Sequence, residues 1–332
     1  MKIAIVILNW NGQKLLEQFL PSIIKFNTNS AEIYVADNAS TDSSIEYIKE
    51  NFSSVKIVQN TINGGYAKGY NDALQYIKAD IYCLLNSDIE VTKNWLPPIL
   101  SLFKADKNIA IVQPKILDFK EKSNFEYAGA AGGFIDRFGY PYCRGRIFDT
   151  LENDTQQFND VADIFWASGA CFFICSEVFH QLKGFDEDYF SHQEEIDVCW
   201  RAKNSGFSIK YCGESTVFHV GGATLNQTNP QKTFLNFRNS LLNLVKNAPS
   251  NFLFFTILTR LLLDGIAGIK FFLQLKPLHT LAIIKAHFSF YRKLPKFLEK
   301  RKKLPQKKKY HLHKSIVWQY YVLGRKKFNE LA

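Results

Sequence analysis

Lys2-Ile3-Ala4-Ile5-Val6-Ile7-Leu8-Asn9-Trp10-Asn11-Gly12 decides the fold, because an unbroken apolar run, Lys2–Leu8, ends abruptly in two asparagines and a glycine. A run this short, with no alternation, reads as a strand buried on both faces. A secretory leader is the competing reading. The run is short for one and no small-residue cleavage site follows, so a buried first strand of a cytoplasmic protein is expected.

Outward from this strand the pattern repeats. Gln13–Lys25 carries apolar residues at helical spacing, and Glu32–Ala36 is strand-like again. Ser43 with Glu46 three residues later resembles a capping box that opens a helix through Asn51. Val55–Gln59 is a third strand, Tyr66–Lys78 a third helix and Ile81–Leu85 a fourth strand. This βαβαβαβ rhythm points to parallel strands with helices on both faces. Ligands of such sheets sit beyond the carboxyl ends of the strands. The loops there are Asn9–Gly12, Asp37–Asp42, Asn60–Gly65 and Asn86–Asp88. None contains GxGxxG or GxxxxGK[ST], which removes the main support for dinucleotide and P-loop chemistry. Each loop taken alone is ordinary turn chemistry. Four oxygen-rich loops at one rim make a site.

At 332 residues the chain holds two domain-sized cores or one large α/β core with appendages. A hydrophobic fraction of 46% excludes wholesale disorder, and a mean hydropathy of −0.15 argues against a bundle of membrane spans. Six scattered cysteines without CxxC spacing suit a reducing compartment and neither a disulfide scaffold nor a structural zinc site. Charge is uneven. Lys276–Ala332 holds sixteen Lys and Arg against Glu299 and Glu330, a net +14, whereas Met1–Leu275 has 25 basic and 29 acidic residues, a net −4. The basic tail and the body therefore have different partners.

Together the motifs resemble glycosyltransferase family 2, the inverting nucleotide-sugar enzymes of GT-A fold, and within it a rhamnosyltransferase-like bacterial branch. The likeness rests on Val6–Gly12, Asp37–Asp42, Asn63–Asn71, Leu84–Asp88, Ser168–Ala170, Glu194–Asp197 with Arg201, His219–Gly222 and Asn236–Asn239, in that order, over roughly residues 1–245. It implies an α/β fold, a GT-A-type Rossmann-like mixed sheet flanked by helices. Residues 1–115 would form the nucleotide-sugar-binding half and 116–247 the acceptor and catalytic half of the same domain. Residues 248–332 would form a C-terminal helical, membrane-associating extension.

The resemblance also implies roles. A DxD-like motif holds a divalent cation, Mg²⁺ or Mn²⁺, that stabilises the departing diphosphate as a Lewis acid. Asn86-Ser87-Asp88 stands in its place, with Asp88 keeping the last carboxylate. Asn86 replaces the first, so it either lowers metal affinity or bonds the sugar or ribose. His219 matches the histidine that completes the metal site. Asp37, Asn9 and Asn11 fit the nucleotide pocket with Asn63. Gly64 and Gly65 either admit the nucleotide to the backbone or only make a tight turn. Glu195 matches the base that takes the acceptor proton, with Glu194 and Asp197 as neighbours whose charge raises its proton affinity. Arg238 meets the diphosphate or pairs with a surface acid, and Trp166 is either an acceptor-side wall or core.

Asn251–Leu275 is long and apolar, but Arg260, Asp264 and Lys270 interrupt it, so one or two helices lying on a membrane surface or against the body are expected. Leu278–Phe290 shows another apolar helical pattern, followed by the Lys- and Arg-rich stretch Arg292–Lys309. Anionic lipid suits that pairing, and no nucleic-acid-binding module accompanies the charge. The expected function is inverting transfer of a sugar from a nucleotide-diphosphate sugar to a lipid-linked or cell-surface glycan, at the cytoplasmic face of the membrane. dTDP-rhamnose is the donor that the branch suggests. A sugar-nucleotide nucleotidyltransferase and a non-catalytic glycan- or membrane-binding protein on a transferase fold are the alternatives. The first would carry a Gly- and Arg-rich opening loop, which Asn9–Lys14 is not.

Overall fold

The computed structural model describes residues 1–27, 31–221, 229–307 and 309–331, which leaves Gly222 of the His219–Gly222 motif outside the described residues. The chain begins with β1 (Ile3–Asn9), α1 (Gln13–Asn27), β2 (Glu32–Asp37), α2 (Ser44–Asn51), β3 (Lys56–Gln59), α3 (Gly65–Leu74) and β4 (Ile81–Asn86). β5 (Ile89–Val91), α4 (Leu96–Ala105) and β6 (Ile109–Asp118) follow. β7 (Gly133–Ile135), β8 (Pro141–Cys143), β9 (Arg146–Ile147) and β10 (Thr150–Leu151) form a small antiparallel sheet. Next come β11 (Val161–Asp163), β12 (Cys171–Cys175), α5 (Ser176–Gln181), α6 (Glu194–Asn204) and β13 (Ser208–His219). The chain closes with α7 (Pro230–Asn247), α8 (Leu253–Leu273), α9 (Pro277–Lys302) and α10 (Ile316–Tyr321).

The main sheet runs β11-β13-β6-β12-β4-β1-β2-β3, with β5 paired to β13. β3, β2, β1 and β4 are parallel, as the rhythm predicts. β12 then enters antiparallel between β4 and β6, and β11 and β5 pair antiparallel with β13, so the whole is mixed. The sheet runs continuously through the 115/116 boundary, which falls inside β6. β1 shows why its sequence has no alternation. Ala4 and Val6 enter the core on one side of the sheet, Ile5 and Ile7 the core on the other, and all four are buried. The order reverses between β1 and β4, opening a crevice at their carboxyl ends. Asn9 lies across from Asp37, and Leu8 across from Asn86, so three of the oxygen-rich loops border that crevice.

Two local expectations differ from the structure. Ser43 makes no side-chain cap on α2. Asp42 does this work, accepting from the Ser44 amide (3.2 Å) and from the amide of Gln13 (3.1 Å). One carboxylate thereby ties the starts of α1 and α2 together. α3 stops at Leu74, four residues short of the predicted Lys78, and the Ile77 carbonyl turns away to accept from the Tyr82 hydroxyl (2.9 Å).

The C-terminal region is bound to the body. Phe290 and Phe297 of α9 pack with Tyr189 and with Leu241, Leu242 and Val245 of α7 in a third core. Lys293, Lys296 and Lys300 pair with Asp188, and Lys300 also with Asp186, ahead of α6. Burial alone would raise the Asp188 carboxyl, but these three lysines hold it well below the usual carboxylate range. Among the described residues no helix is long and apolar enough to cross a membrane.

Candidate active site

At the end of β1, Asn9 is fully buried. Its Nδ2 donates to Asp37 Oδ1 (3.3 Å) and to Ser40 Oγ (3.2 Å), while Asp37 Oδ2 accepts from the Ser40 amide (3.0 Å). Asn9 Oδ1 has no partner among the described residues. A Cβ on Gly12 would strike that oxygen and come within 3.8 Å of Ser87 Oγ, so the glycine keeps a gap between the first loop and Asn86–Asp88. An orphaned acceptor at such a gap suits a polar ligand. Asn11 adopts a left-handed φ of 49° and accepts from the Thr41 amide (2.7 Å), fastening this loop to the next. Asn63 accepts from Asn38 Nδ2 (2.9 Å) and from the Gly65 amide (3.0 Å), and Asn60 donates to Asn38 (3.2 Å). Gly64 caps α3, and Gly65, at φ +75°, lies so close to the Phe190 carbonyl that any Cβ would clash. That glycine therefore serves a close approach of two chain segments.

Across the crevice, Asp88 Oδ1 lies 3.1 Å from His219 Nε2, and Asn86 Nδ2 lies 3.4 Å from the same nitrogen. The other face of the ring meets Glu126, whose Oε1 is 3.3 Å from Nδ1. Glu126 is held in turn by the Ala128 amide (2.6 Å). Burial works against a charged imidazole, yet Glu126 and Asp88 outweigh it and push the His219 pKa up to about 10. Two buried carboxylates here are arranged to face a positive charge. Among the described residues no three His, Cys, Asp or Glu side chains form a ready metal cage. Asp88 and, once a cation displaces its proton, His219 supply two donors on one side, which fits a divalent cation whose other positions come from an anionic ligand and water.

The acidic pair opens α6 after a strained approach. Phe190, His192 and Gln193 all have positive φ, at 69°, 65° and 75°. α7 holds this segment by its carbonyls. Asn239 Nδ2 reaches those of Tyr189 (3.2 Å), Ser191 (3.0 Å) and His192 (2.7 Å), and Asn243 Nδ2 donates to Gln193 (3.0 Å). Arg238 adds a bond to Tyr189 O (3.0 Å) and one to Asn239 Oδ1 (2.8 Å). Glu194 and Glu195 emerge with one carboxylate oxygen each buried and unpartnered. Burial raises both, and the neighbouring Glu195 charge raises Glu194 further. Glu194 is pushed well above the carboxylate range and Glu195 to about 7.

These parts meet around Ser168–Ala170. The Asn86 amide donates to Ala170 O (2.9 Å), and Tyr66 Oη donates to Gly169 O (2.8 Å). Tyr66 in turn feels the charges of Glu194 and Glu195. The Asn86–Asp88 loop and the carboxylate pair thus flank one short segment. Three anticipated residues stand apart. Asp197 points the other way, into a buried cluster with Arg201 (2.7 Å), Lys246 (2.9 Å) and Asn247 (2.8 Å). Burial opposes its ionisation, but Arg201 and Lys246 hold it well below the usual range. Arg238 spends its bonds on the approach segment and pairs with no acid. Trp166 is 2% exposed, lies against Gly133 and donates to Phe134 O (2.9 Å), so its ring belongs to the core. The sequence motifs contain Ser40, Asn60 and Asn239 without singling them out, and they miss Glu126 and Asn243 altogether.

A mixed sheet with oxygen-rich loops at the β1/β4 crevice, an Asp–His pair and a carboxylate pair of buried Glu194 and half-buried Glu195 define a sugar transferase of GT-A fold. Residues 4–182 match glycosyl transferase family 2, and the chain belongs to that family. This sets aside the nucleotidyltransferase and non-catalytic alternatives: the protein is a glycosyltransferase. Its sequence is similar to the low-salt glycan biosynthesis hexosyltransferase Agl10 of Haloferax volcanii, at 23% identity over 72% of this chain and 74% of the relative. It is also similar to the N-acetylglucosaminyl-diphospho-decaprenol L-rhamnosyltransferase of Mycobacterium tuberculosis, at 22% identity over 65% of this chain and 75% of that one. In structure it resembles the S. aureus TarS segment in complex with UDP-GlcNAc, with a TM-score of 0.58 at 14% identity, covering 91% of this chain and 84% of the other. The Pyrobaculum calidifontis mannosyltransferase PcManGT, in complex with GDP-Man and Mn²⁺, gives a TM-score of 0.55 at 13% identity, covering 87% of each chain.

Proposed function

We propose that this glycosyltransferase moves a sugar from a nucleoside-diphosphate sugar to a hydroxyl of a lipid-linked or cell-surface glycan, with inversion at the anomeric carbon. The observation that carries the reading is the adjacent carboxylate pair at the start of α6, Glu194 and Glu195, each with one buried oxygen that has no partner among the described residues, with burial raising the Glu195 carboxyl to about 7. A base poised near the working pH is what an acceptor hydroxyl requires. Glu195 takes the hydroxyl proton as the acceptor oxygen bonds to the anomeric carbon. The bond from that carbon to the diphosphate oxygen breaks, and the nucleoside diphosphate leaves with the electron pair.

Asn9, Asn11, Asp37 and Asn63, with Gly64 and Gly65, hold the base and ribose in this reading, which the unpaired Asn9 Oδ1 supports. Asn86 faces the donor sugar. Asp88 and His219 would hold Mg²⁺ or Mn²⁺, which supplies charge neutralisation for the leaving diphosphate. The structural neighbours, one in complex with GDP-Man and Mn²⁺ and the other with UDP-GlcNAc, support a metal and a nucleotide sugar in general terms. The M. tuberculosis relative's name supports a polyprenyl-diphosphate glycan acceptor and, with it, dTDP-rhamnose as the donor to try first. Arg238 would reach the diphosphate only by giving up its bond to Tyr189. The C-terminal region would hold the enzyme at the membrane where such an acceptor resides. The test is the anomer released on slow donor hydrolysis, followed by proton NMR before mutarotation. Inversion supports a single displacement assisted by Glu195, and retention refutes it.

A further inference from the structure

α8 is built inside out. Its buried residues are Thr256, Arg260, Asp264 and Gly268, one polar stripe at four-residue spacing. Arg260 donates to Asp264 Oδ1 (2.7 Å), Phe138 O (3.0 Å) and Ser240 Oγ (2.8 Å), and Tyr140 Oη adds a bond to Asp264 (3.0 Å). The opposite face is apolar and turned outward, with Leu262 65% and Ile266 62% exposed, beside Phe254, Leu258 and Ile269. A helix facing water carries its polar residues outside. α9 has an inward apolar seam through Ile283, Ala286 and Phe290, and a second, outward seam of Leu281, Ile284, Phe288 and Tyr291. Gly268 brings the two helices together against Thr280 and Ile283. Tyr321, exposed at the end of α10, bonds to Lys270 (3.1 Å) at the end of α8. An apolar surface this extensive marks an interaction site.

Charge selects the occupant. Lys270, Lys276, Lys285 and Arg292 are exposed around this surface. From Leu253 to Lys302 the acids are Asp264, which is buried, and Glu299, which pairs with Lys302. A second copy would set lysine against lysine, and a nucleic acid offers no apolar layer. A bilayer with anionic headgroups supplies both complements, and exposed Tyr291, Trp318 and Tyr321 are side chains suited to its interface. The bonds from Arg260 to Phe138 and Ser240, and from Tyr140 to Asp264, keep α8 against the body, with its apolar face outward.

We propose that the outer faces of α8 and α9 seat in the interfacial layer of an anionic bilayer, with their apolar side chains at the acyl boundary and these four cations among the headgroups. The inference rests on the membrane-associating reading of the C-terminal region and adds the face that makes contact. The test uses the full chain and vesicles of equal parts phosphatidylglycerol and phosphatidylcholine, compared by co-sedimentation at low and high salt. The triple variant Leu262→Glu/Ile266→Glu/Phe288→Glu, whose sites are all solvent-exposed, should melt as the parent does and partition at least about tenfold less. Lys270→Glu/Lys276→Glu/Lys285→Glu should lose binding mainly at low salt, where charge is least screened. A parent chain that fails to bind vesicles at low salt refutes the membrane reading itself. Undiminished binding by the triple glutamate variant refutes the assigned face. A parent that dimerises through this face without binding vesicles gives the surface to a second copy and overturns the proposal.

Discussion

Glu195→Gln keeps the shape of the side chain and removes its ability to accept a proton. The Glu195 carboxyl is raised from 4.5 to about 7, chiefly by burial. That difference corresponds to about 3 kcal/mol by which the folded site resists ionisation. A group that holds its proton more tightly when folded favours folding at low pH. This contribution is complete below pH 4.5 and lost as the pH rises through about 7. Glutamine never ionises, so the variant should gain about 2–3 kcal/mol over the parent at pH 8 but less than about 1 kcal/mol at pH 5. At about 2 °C per kcal/mol for a chain of this size, melting at pH 8 should rise by several degrees. Turnover should fall by about 10²–10⁴ with donor affinity unchanged, and the rise of parental kcat through pH 7 should disappear. Scanning calorimetry across pH 5–8, paired with a donor-hydrolysis assay, reads both effects. Equal melting temperatures at pH 8 together with retained turnover would refute the assignment of Glu195 as a buried base.

Other perturbations follow from the same geometry. Asp88→Ala removes a donor beside His219 and should abolish Mn²⁺-dependent nucleotide-sugar affinity in calorimetric titration; unchanged affinity moves the metal elsewhere. Asn239→Ala frees three carbonyls of the segment ahead of Glu194 and should lower kcat by about 10²-fold with little change in donor Kd. As a positioning residue, Asn239 should also shift the acid limb of the pH profile when lost, whereas a general loss of stability would leave that limb where it is. Gly65→Ala forces a side chain into a left-handed φ and onto the Phe190 carbonyl, and should cost about 1–3 kcal/mol in thermal melts. Gly206→Ala, at φ +103° with nothing within 4 Å, should cost less, because it carries the backbone penalty alone.

The first four strands, their parallel pairing and the crevice loops were legible because the strands are largely aliphatic runs and each loop begins where one stops. Asn9, Asp37 and Asn86 are the last residues of β1, β2 and β4, and parallel pairing brings them to one rim. Glu126 was not legible. It sits in a motif-free stretch between β6 and β7 and reaches His219 only after β6 and β13 align. Asp197 could have been sorted by helix geometry, since two residues beyond Glu195 lie about 200° around the axis, on the far face. Asn239 and Asn243 direct their side-chain N–H groups to carbonyls of the segment ahead of α6, and a chain segment with strained φ values leaves no residue-type signature to pair with them. The interruptions in Asn251–Leu275 were visible, but that they form one inward stripe emerged only when α7 and the Phe138–Tyr140 loop supplied their partners. Nor is the basic region a detachable tail, because Phe290 and Phe297 complete the core around Tyr189.

The central claim is a metal-assisted transferase that takes a nucleoside-diphosphate sugar. A panel of dTDP-, UDP- and GDP-sugars, titrated calorimetrically and assayed for slow hydrolysis with and without Mn²⁺, tests it most directly. One nucleotide class should bind and hydrolyse, with Mn²⁺ strengthening both and Glu195→Gln retaining binding while losing hydrolysis. Metal-indifferent binding, or hydrolysis untouched by Glu195→Gln, would contradict it.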